Sequence, residues 1–478
     1  MCYNGKTYEK ISEFIKERGN TPMCGIMKKK LTIAETVTVG SMLFGLFFGA
    51  GNLIFPVFMG QSAGENVLPA IIGFLITGVG IPLLGVASLG MSRSNGVYEM
   101  SGFVGKKYAV FFTVALYLTI GPFFAIPRCA STSFSVGIKP MIADDNLTVA
   151  ATWIFSALFF AAVLIFSLFP GKILTWVGRI LTPLFLVSLG ILLIYALVSP
   201  MGDYSAVEPQ QAYQSGALFK GFIEGYNTMD VLAGLAFGIV VVNAIKGVGV
   251  KDPSAIASST VKSGIVGCAI MALIYAALAI VGAESRTVYG LASDGGEALS
   301  MIARHYFGDV GAALLAVIVT LACLKTAAGL ITSCSEAFCE IFPNGPKYKF
   351  YAVTFCVVSF LISTIGLSAI ISWSLPVLMF LYPLSITLIL LALCGKLFDN
   401  DKVIYRSVTA FTLVASFFDF VKALPADIAD LPVIKQINAV GDLLPFADLG
   451  LGWVCPAILG LTVGIIIRLA LRKGRKTA

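Results

Sequence analysis

Long apolar runs constrain this chain more than any other feature of its sequence. A helix needs roughly 20 apolar residues to cross a hydrocarbon core of about 30 Å. Runs of about this length are found at residues 33–58, 68–91, 108–136, 149–168, 172–198, 218–245, 262–283, 309–340, 350–366, 368–395, 404–421 and 449–471. Because lipid cannot satisfy an exposed backbone N–H or C=O, we expect such runs to be helical. The sequence therefore predicts an all-α integral membrane protein with about twelve transmembrane helices.

The composition supports this fold class. Hydrophobic residues make up 58% of the chain and charged residues 12%, about half the charged share of a soluble domain. The lipid bilayer is therefore a predicted partner. The net charge of +7 follows from lysines and arginines at the membrane surface, so it does not require a nucleic-acid partner.

Lysine and arginine fall mainly in alternate loops. If the N-terminus is cytoplasmic, the loops on that side hold most of them, including the basic tail at 468–476. The opposite loops hold Lys139, Lys220, Arg286, Arg304, Lys422 and Lys435. By the positive-inside rule we predict a multi-pass protein of the cell membrane with both termini in the cytoplasm. Residues 1–30 then form a cytoplasmic tail, although residues 1–26 can equally be an over-extended start.

The polar residues do not indicate an enzyme. The ten cysteines show no spacing typical of a metal site. Asp144 and Asp145 fall in a short loop, where a solvated turn is favoured over an acid–base pair. We predict no catalytic residue and no covalent cofactor.

The first predicted helix contains a break. The stretch GLFFGAGNLIFPVFMG, residues 45–60, places Gly49, Gly51 and Asn52 at mid-membrane depth, followed by Pro56. Glycine favours departure from the helix, which exposes backbone groups that lipid cannot satisfy. Such a break is tolerable only where it faces a cavity or protein.

The sixth predicted helix repeats this pattern. The stretch EGYNTMDVLAGLAFG, residues 224–238, places Asn227, Thr228 and Asp230 within an apolar run. Interrupted helices at corresponding positions of two halves are typical of the binding site of a secondary transporter. Helix packing through GxxxG spacing is the competing interpretation, but it does not account for the neighbouring Asn and Asp. The short strings GLFFG and GLAFG also match between these two helices, which the topology orients oppositely.

Several ionisable residues lie within predicted helices: Arg128, Glu224, Asp230 and Lys325. Each charge costs several kcal/mol there unless it faces a partner or water. From the helical rise of about 1.5 Å per residue, Arg128 lies at a depth from which it can reach Glu224 or Asp230. We predict a buried charge network of these three residues, with a purely structural ion pair as the alternative for Arg128.

Four stretches resemble one family of bacterial membrane proteins. LFGLFFGAGNLIFPVFMGQ, IGPFFAIPRCASTSF, GFIEGYNTMDVLAGLAFGIVV and GLITSCSEAF are similar to the branched-chain amino acid transport system II carriers, a resemblance that covers residues 27–478. It implies the five-plus-five inverted repeat of the leucine and neurotransmitter sodium symporters. The expected division is a first repeat at 31–200, a second at 201–398, and two additional helices with a basic cytoplasmic tail at 399–478.

The resemblance also implies a substrate site at the two breaks. Free amides at helix ends can bind the carboxylate of an amino acid. The residues expected to contact the substrate backbone are Gly49, Ala50, Gly51 and Asn227. The apolar wall expected around its side chain consists of Phe47, Phe48, Met229 and Leu232.

Coupling ions are expected at the same place. Oxygen atoms of Ala50, Asn52 and Thr228 suit a hard cation, and a sodium ion is predicted at Asn52 and Thr228. Thr332 and Ser333 match the region where related symporters bind a second sodium. The predicted coupling ion is sodium or a proton.

Lys325, in the stretch ACLKTAAGLITSCS, departs from the family pattern. It precedes Thr332 by about two turns and lies on nearly the same face of helix eight. Its ammonium group could act as a built-in cation in place of the second sodium. The alternative is that Lys325 pairs with a carboxylate or extends into the cytoplasmic vestibule.

The broken helices and the resemblance together predict a secondary active transporter. It would import leucine, isoleucine and valine, coupled to sodium or proton influx by alternating access. The residues alone indicate a transporter of a small polar or zwitterionic solute, and the branched side chain comes from the resemblance. An amino-acid sensor without coupled flux and a gated channel are the alternatives.

Overall fold

The computed structural model describes residues 30–142, 144–168, 186–250 and 252–477. Within these ranges the chain is almost entirely helical and contains no β-strand. Of the predicted N-terminal tail only Lys30 is described, and the first part of the helix predicted at 172–198 also lies outside the described residues.

The helices follow the predicted apolar runs. The first half of the chain forms α1 (Ile33–Phe47), α2 (Gly51–Ala63), α3 (Val67–Leu75), α4 (Ile81–Ser92), α5 (Val97–Ser101), α6 (Lys106–Leu118), α7 (Ala125–Gly137), α8 (Asp145–Leu168) and α9, described over Leu186–Val198. The second half forms α10 (Gln211–Gln214), α11 (Ala217–Glu224), α12 (Asp230–Gly247), α13 (Pro253–Tyr289), α14 (Gly295–Ile341), α15 (Tyr348–Ser363) and α16 (Leu367–Cys394). The C-terminal part forms α17 (Lys402–Lys422), α18 (Ala426–Ala429), α19 (Pro432–Gly441) and α20 (Val454–Thr477).

These helices are long enough for a membrane protein. In the described part of the chain, nine helical spans are long and apolar enough to cross a membrane, and shorter apolar helices occur in α1, α9 and α15. The run predicted at 33–58 divides into α1 and α2, and the run predicted at 218–245 divides into α11 and α12. The structure therefore has both predicted breaks.

The two halves exchange packing partners. α1 and α2 of the first half lie against α13 of the second half, while α11 and α12 of the second half lie against α3 and α4 of the first. The broken helix of each half thus packs on the second spanning helix of the other. Helices at equivalent positions also pair across the halves, α7 with α14 and α8 with α15. This exchange is the pattern expected when a pseudo-two-fold axis relates inverted repeats.

Glycines at these crossings bring helix backbones into contact. A Cβ atom on Gly60 of α2 would lie 1.9 Å from the carbonyl oxygen of Ala279 in α13. A Cβ atom on Gly221 of α11 would lie 2.0 Å from the carbonyl oxygen of Ala70 in α3. Lipid tails are as apolar as leucine, so helices in a membrane associate largely by close packing through small residues. The glycines therefore hold the broken helices against the rest of the bundle.

The third spanning segment is also irregular. A π-turn at Thr119–Phe123 joins α6 to α7, and Gly121 within it has non-helical angles (φ −98°, ψ −125°). Pro122 has no backbone N–H to donate to the preceding turn. The kink directs α7 into the bundle, where Arg128 is buried.

The last spanning helices lie beside this inverted-repeat core. α17 packs on α20 and on α16, and α19 in the loop between α17 and α20 contacts α17. These helices have no counterparts in the exchanged pairs, in agreement with the prediction of two additional helices.

Replacing Gly60 with alanine should destabilise the protein by about 1–3 kcal/mol, the usual cost of overpacking. The new methyl group meets the backbone of α13, which cannot rotate away as a side chain can. Thermal unfolding of purified protein in detergent measures the loss. Gly190→Ala in α9 is the matched control, because a Cβ there has no heavy atom within 4 Å. Equal melting temperatures for the two variants would contradict the proposed backbone contact.

Candidate functional site

The first break lies between α1 and α2. The backbone leaves the helix at Phe48, which is extended (φ −73°, ψ 105°), and α2 begins at Gly51. Asn52 stabilises the gap, since its Oδ1 atom accepts a 2.8 Å hydrogen bond from the N–H of Gly49. The last carbonyls of a helix and the first N–H groups of the next have no helical partners. Both kinds of group meet here inside the protein.

The second break lies between α11 and α12. A 3₁₀ turn at Gly225–Thr228 follows α11, and Met229 adopts a left-handed conformation (φ 62°) before α12 begins at Asp230. Left-handed non-glycine residues are uncommon and mark local strain. The Thr228 hydroxyl donates to the carbonyl of Gly225 at 2.9 Å and accepts from the N–H of Asp230 at 3.3 Å. This turn fixes the start of α12.

Asn52 and Asp230 connect the two breaks. Asn52 Nδ2 donates to Asp230 Oδ2 at 2.8 Å, and the Tyr275 hydroxyl of α13 donates to the same oxygen at 2.9 Å. The Asn52 amide also contacts the Tyr275 hydroxyl. Asn52 is 2% exposed and Asp230 1% exposed, so the carboxylate depends on these protein donors. Its place at the N-terminus of α12 adds the favourable field of the helix dipole.

Arg128 of α7 lies over the first break. Its Nη1 atom donates to the Asn227 carbonyl at 2.7 Å, and its guanidinium lies 4.8 Å from the centroid of the Phe55 ring. A Cβ atom on Gly51 would lie 2.9 Å from Arg128 Nη2, so the glycine leaves room for the guanidinium. Arg128 therefore contacts both broken helices.

Of the three residues of the predicted charge network, Arg128 and Glu224 are linked through Asn227, whereas Asp230 binds Asn52 and Tyr275. Arg128 binds the carbonyl of Asn227, whose Nδ2 atom donates to Glu224 at 2.9 Å. Glu224 forms its ion pair with Lys220, one turn earlier on α11, at 2.7 Å. Within the described ranges, Arg128 forms no ion pair with Glu224 or Asp230. Depth along a helix places the guanidinium near both carboxylates, but the rotamer decides which acceptor it meets.

A cavity of about 40 Å³ lies beside the first break. This volume has room for about three water molecules. Its walls come from the break and from α14, and they include Phe48, Gly49, Ala50, Leu53, Val319, Lys325 and Thr326. Lys325 is half-buried at this cavity.

The other residues predicted to bind a second cation lie elsewhere. The Thr332 hydroxyl accepts a hydrogen bond of 3.4 Å from the hydroxyl of Tyr348 in α15. Neither Thr332 nor Ser333 lines the cavity, whereas Thr326, which is earlier on the same helix, does. Thr332 and Ser333 therefore do not contribute to this cavity.

The four residues of the predicted apolar wall do not surround one cavity. Phe48 lines the cavity beside the break. Phe47 is buried against α12, where a Cβ on Gly234 would lie 3.5 Å from its Cζ atom. Met229 and Leu232 are buried in the separate apolar cluster around α12 and α16.

Tyr275 and Thr326 are site residues that sequence reasoning missed. Tyr275 occurs in the apolar stretch MALIYAALAI, and nothing local distinguishes it from other tyrosines in the helices. Thr326 directly follows Lys325, so the search for cation ligands near that lysine would have found it.

The chain matches one protein family over nearly its whole length. Residues 32–471 match the family described as "Branched-chain amino acid transport protein". The chain belongs to this family. It is 53% identical over 431 residues to the branched-chain amino acid permease BrnQ of Lactobacillus delbrueckii subsp. lactis, covering 90% of this chain and 96% of that protein. It is 38% identical over 445 residues to the branched-chain amino acid transport system 2 carrier protein of Pseudomonas aeruginosa, covering 92% and 98% respectively.

Solved structures share the fold. The inward-facing conformation of Mhp1 has a TM-score of 0.57 at 14% identity and covers 90% of this chain and 96% of that chain. Mhp1 in a closed conformation with bromovinylhydantoin bound, a nucleobase-cation-symport-1 family transporter, has a TM-score of 0.54 at 16% identity, covering 95% and 96% respectively. This similarity and the exchanged packing confirm the predicted inverted-repeat fold. Since the family consists of transport proteins, the chain is a multi-pass membrane transporter.

Asn52 and Tyr275 should be energetically coupled, because both donate to Asp230 Oδ2. Either Asn52→Ala or Tyr275→Phe leaves that oxygen with one of the two donors. The double variant removes both donors. We expect the double variant to lose about 1–3 kcal/mol more than the sum of the single losses. Unfolding of the purified variants in detergent measures this coupling.

Tyr306→Phe provides the control for this cycle. The Tyr306 hydroxyl donates to the carbonyl of Ser199 at 2.8 Å, away from the breaks. Its combination with Asn52→Ala should be additive. Additive losses for Asn52 and Tyr275 would show that Asp230 does not depend on the two donors together.

Proposed function

We propose that the chain imports leucine, isoleucine and valine into the cell by alternating access, coupled to the influx of sodium ions or protons. The observation that carries the proposal is the pair of helix breaks joined by the Asn52–Asp230 hydrogen bond. The names of the relatives, which are branched-chain amino acid permeases, supply the substrate class. The alternation of basic loops supports an orientation with both termini in the cytoplasm.

The backbone of the substrate binds between the two breaks. The N-terminal end of α2, from Gly51, offers amides and a partial positive charge to the carboxylate. Arg128 adds a full positive charge beside Gly51. Asn227 Oδ1 is buried and accepts no hydrogen bond from the described residues, so it can accept one from the ammonium group of the substrate.

The side chain of the substrate is held by apolar contacts beside the first break. Phe48, Leu53 and Val319 line the cavity there. At about 40 Å³ the cavity is too small for an amino acid. Binding therefore requires the helices around it to separate, which supports a mechanism in which one group of helices moves against another.

The coupling cation uses oxygen atoms at the same breaks. Asn52 Oδ1 and Thr228 Oγ1 are hard ligands of the kind that suits sodium. In this conformation they accept hydrogen bonds from the N–H groups of Gly49 and Asp230. A transported sodium ion would replace those two hydrogen bonds with contacts to the oxygen atoms. Binding of the ion would therefore change the conformation of both breaks.

Labelled leucine should accumulate against its own gradient in proteoliposomes that hold the purified protein. Isoleucine and valine should compete, and lysine and glutamate should not, because Phe48, Leu53 and Val319, which are proposed to hold the substrate side chain, carry no charge. Uptake is measured with sodium and proton gradients imposed separately. Asn52→Leu, reconstituted at equal protein content, should lose uptake.

Other outcomes would identify the alternatives. Leucine binding without accumulation would indicate a sensor. Current far above stoichiometric uptake would indicate a channel. Glutamate competing as well as isoleucine would make Arg128 a ligand of the substrate side chain and would refute the apolar pocket.

Lys325 serves as a built-in cation at the first break. It lines the cavity together with Gly49 and Ala50, beside the C-terminal end of α1. The last carbonyls of a helix carry a partial negative charge that favours a cation. An ammonium group on α14 can therefore occupy the position that a mobile ion would otherwise need.

Lys325→Ser should make leucine uptake more dependent on sodium than in wild type, because a mobile ion is then required at the cavity in place of the ammonium group. Uptake by wild type and variant is measured under each gradient separately. Lys347→Ser, at the exposed start of α15, is the control and should behave as wild type. The idea fails if wild type is driven by sodium alone without pH dependence and Lys325→Ser transports identically.

A further inference from the structure

A second buried carboxylate lies outside the inverted-repeat core. Asp419 of α17 is 3% exposed, and its Oδ2 atom has no hydrogen-bond partner among the described residues. The backbone of the loop before α20 is in close contact with this carboxylate, since a Cβ atom on Gly452 would lie 3.2 Å from Asp419 Oδ1. An uncompensated buried carboxylate is costly, so this one requires a ligand or a partner.

Two polar groups face each other beside this carboxylate. Trp453 directly follows Gly452, whose backbone lies against Asp419, and the Tyr226 hydroxyl is near both the Trp453 indole N–H and Asp419. Both side chains are buried, and neither the hydroxyl nor the indole N–H completes a hydrogen bond within the described part of the chain. A carboxylate and two donors are thus gathered in one place without being paired.

Tyr226 connects this cluster to the second break. It belongs to the 3₁₀ turn Gly225–Thr228, directly before Asn227. Its ring stacks on Tyr382 of α16 with centroids 4.0 Å apart. A movement of the Tyr226 hydroxyl toward or away from Asp419 would therefore move the turn that carries the site residues of the second break.

The charged neighbour of Asp419 is Lys422, one turn further along α17. Its ammonium is directed to the loop, where it pairs with Asp442 at 2.6 Å and Asp448 at 3.4 Å. Within the described ranges, Tyr382, whose ring stacks on Tyr226, is a further titratable neighbour of the cluster.

The surroundings favour a proton over a metal ion as the ligand. A metal cation needs several oxygen ligands, but this cluster offers one carboxylate and one hydroxyl, together with an indole N–H and a nearby ammonium. A proton needs one oxygen. Protonated Asp419 can donate to the Tyr226 oxygen, whereas ionised Asp419 can accept from both Tyr226 and Trp453.

We propose that Asp419, Tyr226 and Trp453 form a proton-binding site that links α17 to the second break. Asp419 takes up a proton from water and returns it to water, and no other bond is made or broken. Ionised Asp419 accepts hydrogen bonds from Tyr226 and Trp453, and these bonds fix the position of the 3₁₀ turn. Protonation removes that attraction and releases the turn.

Trp453 itself can report the protonation. The chain has four tryptophans, so a protein in which only Trp453 remains is made by Trp153→Phe, Trp176→Phe and Trp373→Phe. Its emission, followed from mildly acidic to mildly alkaline buffer, should show a transition that involves one proton. Asp419→Asn should abolish the transition. Asp448→Asn, an exposed carboxylate near the same lysine, should retain it.

Tyr226→Phe keeps the test decisive if Asp419→Asn does not fold. Removing the hydroxyl leaves Asp419 able to titrate but without one donor for its ionised form, so the midpoint should move to higher pH. Emission that does not change with pH, or an unchanged midpoint in Tyr226→Phe, would overturn the proposal. An unchanged transition in a folded Asp419→Asn would also overturn it.

The effect on transport rests on the proposed function, whereas the fluorescence transition does not. In proteoliposomes, Asp419→Asn should make the rate of leucine uptake less dependent on pH than in wild type, with Asp448→Asn as the control. If no variant takes up leucine but the transition is present, the proposed function fails and the proton site stands. If uptake occurs but the transition is absent, the proton site fails alone.

Discussion

The hydrogen bond between Asn52 and Asp230 is the interaction on which the rest of the structure depends. Each broken helix leaves backbone groups that lipid cannot satisfy. Asn52 forms hydrogen bonds at both breaks. Its side-chain oxygen accepts one from the N–H of Gly49 in the first break, and its side-chain amide donates one to Asp230 at the second. Without it, the gap in one helix and the carboxylate at the start of the other would each lose a partner.

Close helix packing supports this interaction from outside. The broken helix of each half lies on the second spanning helix of the other half, and the glycines at the crossings let backbones touch. The broken helices are therefore held in close contact with neighbouring helices. Because each repeat supplies one break, the distance between Asn52 and Asp230 depends on how α2 and α12 are placed relative to each other. A site built this way is sensitive to the arrangement of the whole bundle.

The buried charges are placed at junctions between these elements. Arg128 joins α7 to both breaks through the Asn227 carbonyl and the space above Gly51. Lys325 lies where α14 meets the first break. Asp419 is buried in α17, near enough to the hydroxyl of Tyr226 in the second break to influence it electrostatically. A charge away from water is costly unless its surroundings compensate it. The Asn227 carbonyl does this for Arg128, whereas Asp419 Oδ2 has no hydrogen-bond partner among the described residues.

The sequence by itself determined the helices that the structure describes, both breaks, the family and some of the polar residues at the breaks, among them Asn52 and Asp230. The reason is that an apolar run in lipid must be helical, and each polar residue or break within it requires a partner. Only the tertiary structure decided the partners. Arg128 meets a carbonyl instead of a carboxylate, Thr326 instead of Thr332 lines the cavity, and Tyr275 completes the shell of Asp230. The physical reason is that a hydrogen bond is lost when the donor and acceptor atoms move apart by about an ångström. Such distances depend on rotamers and helix rotations between segments far apart in the chain, and hydrophobic patterning carries no information about them.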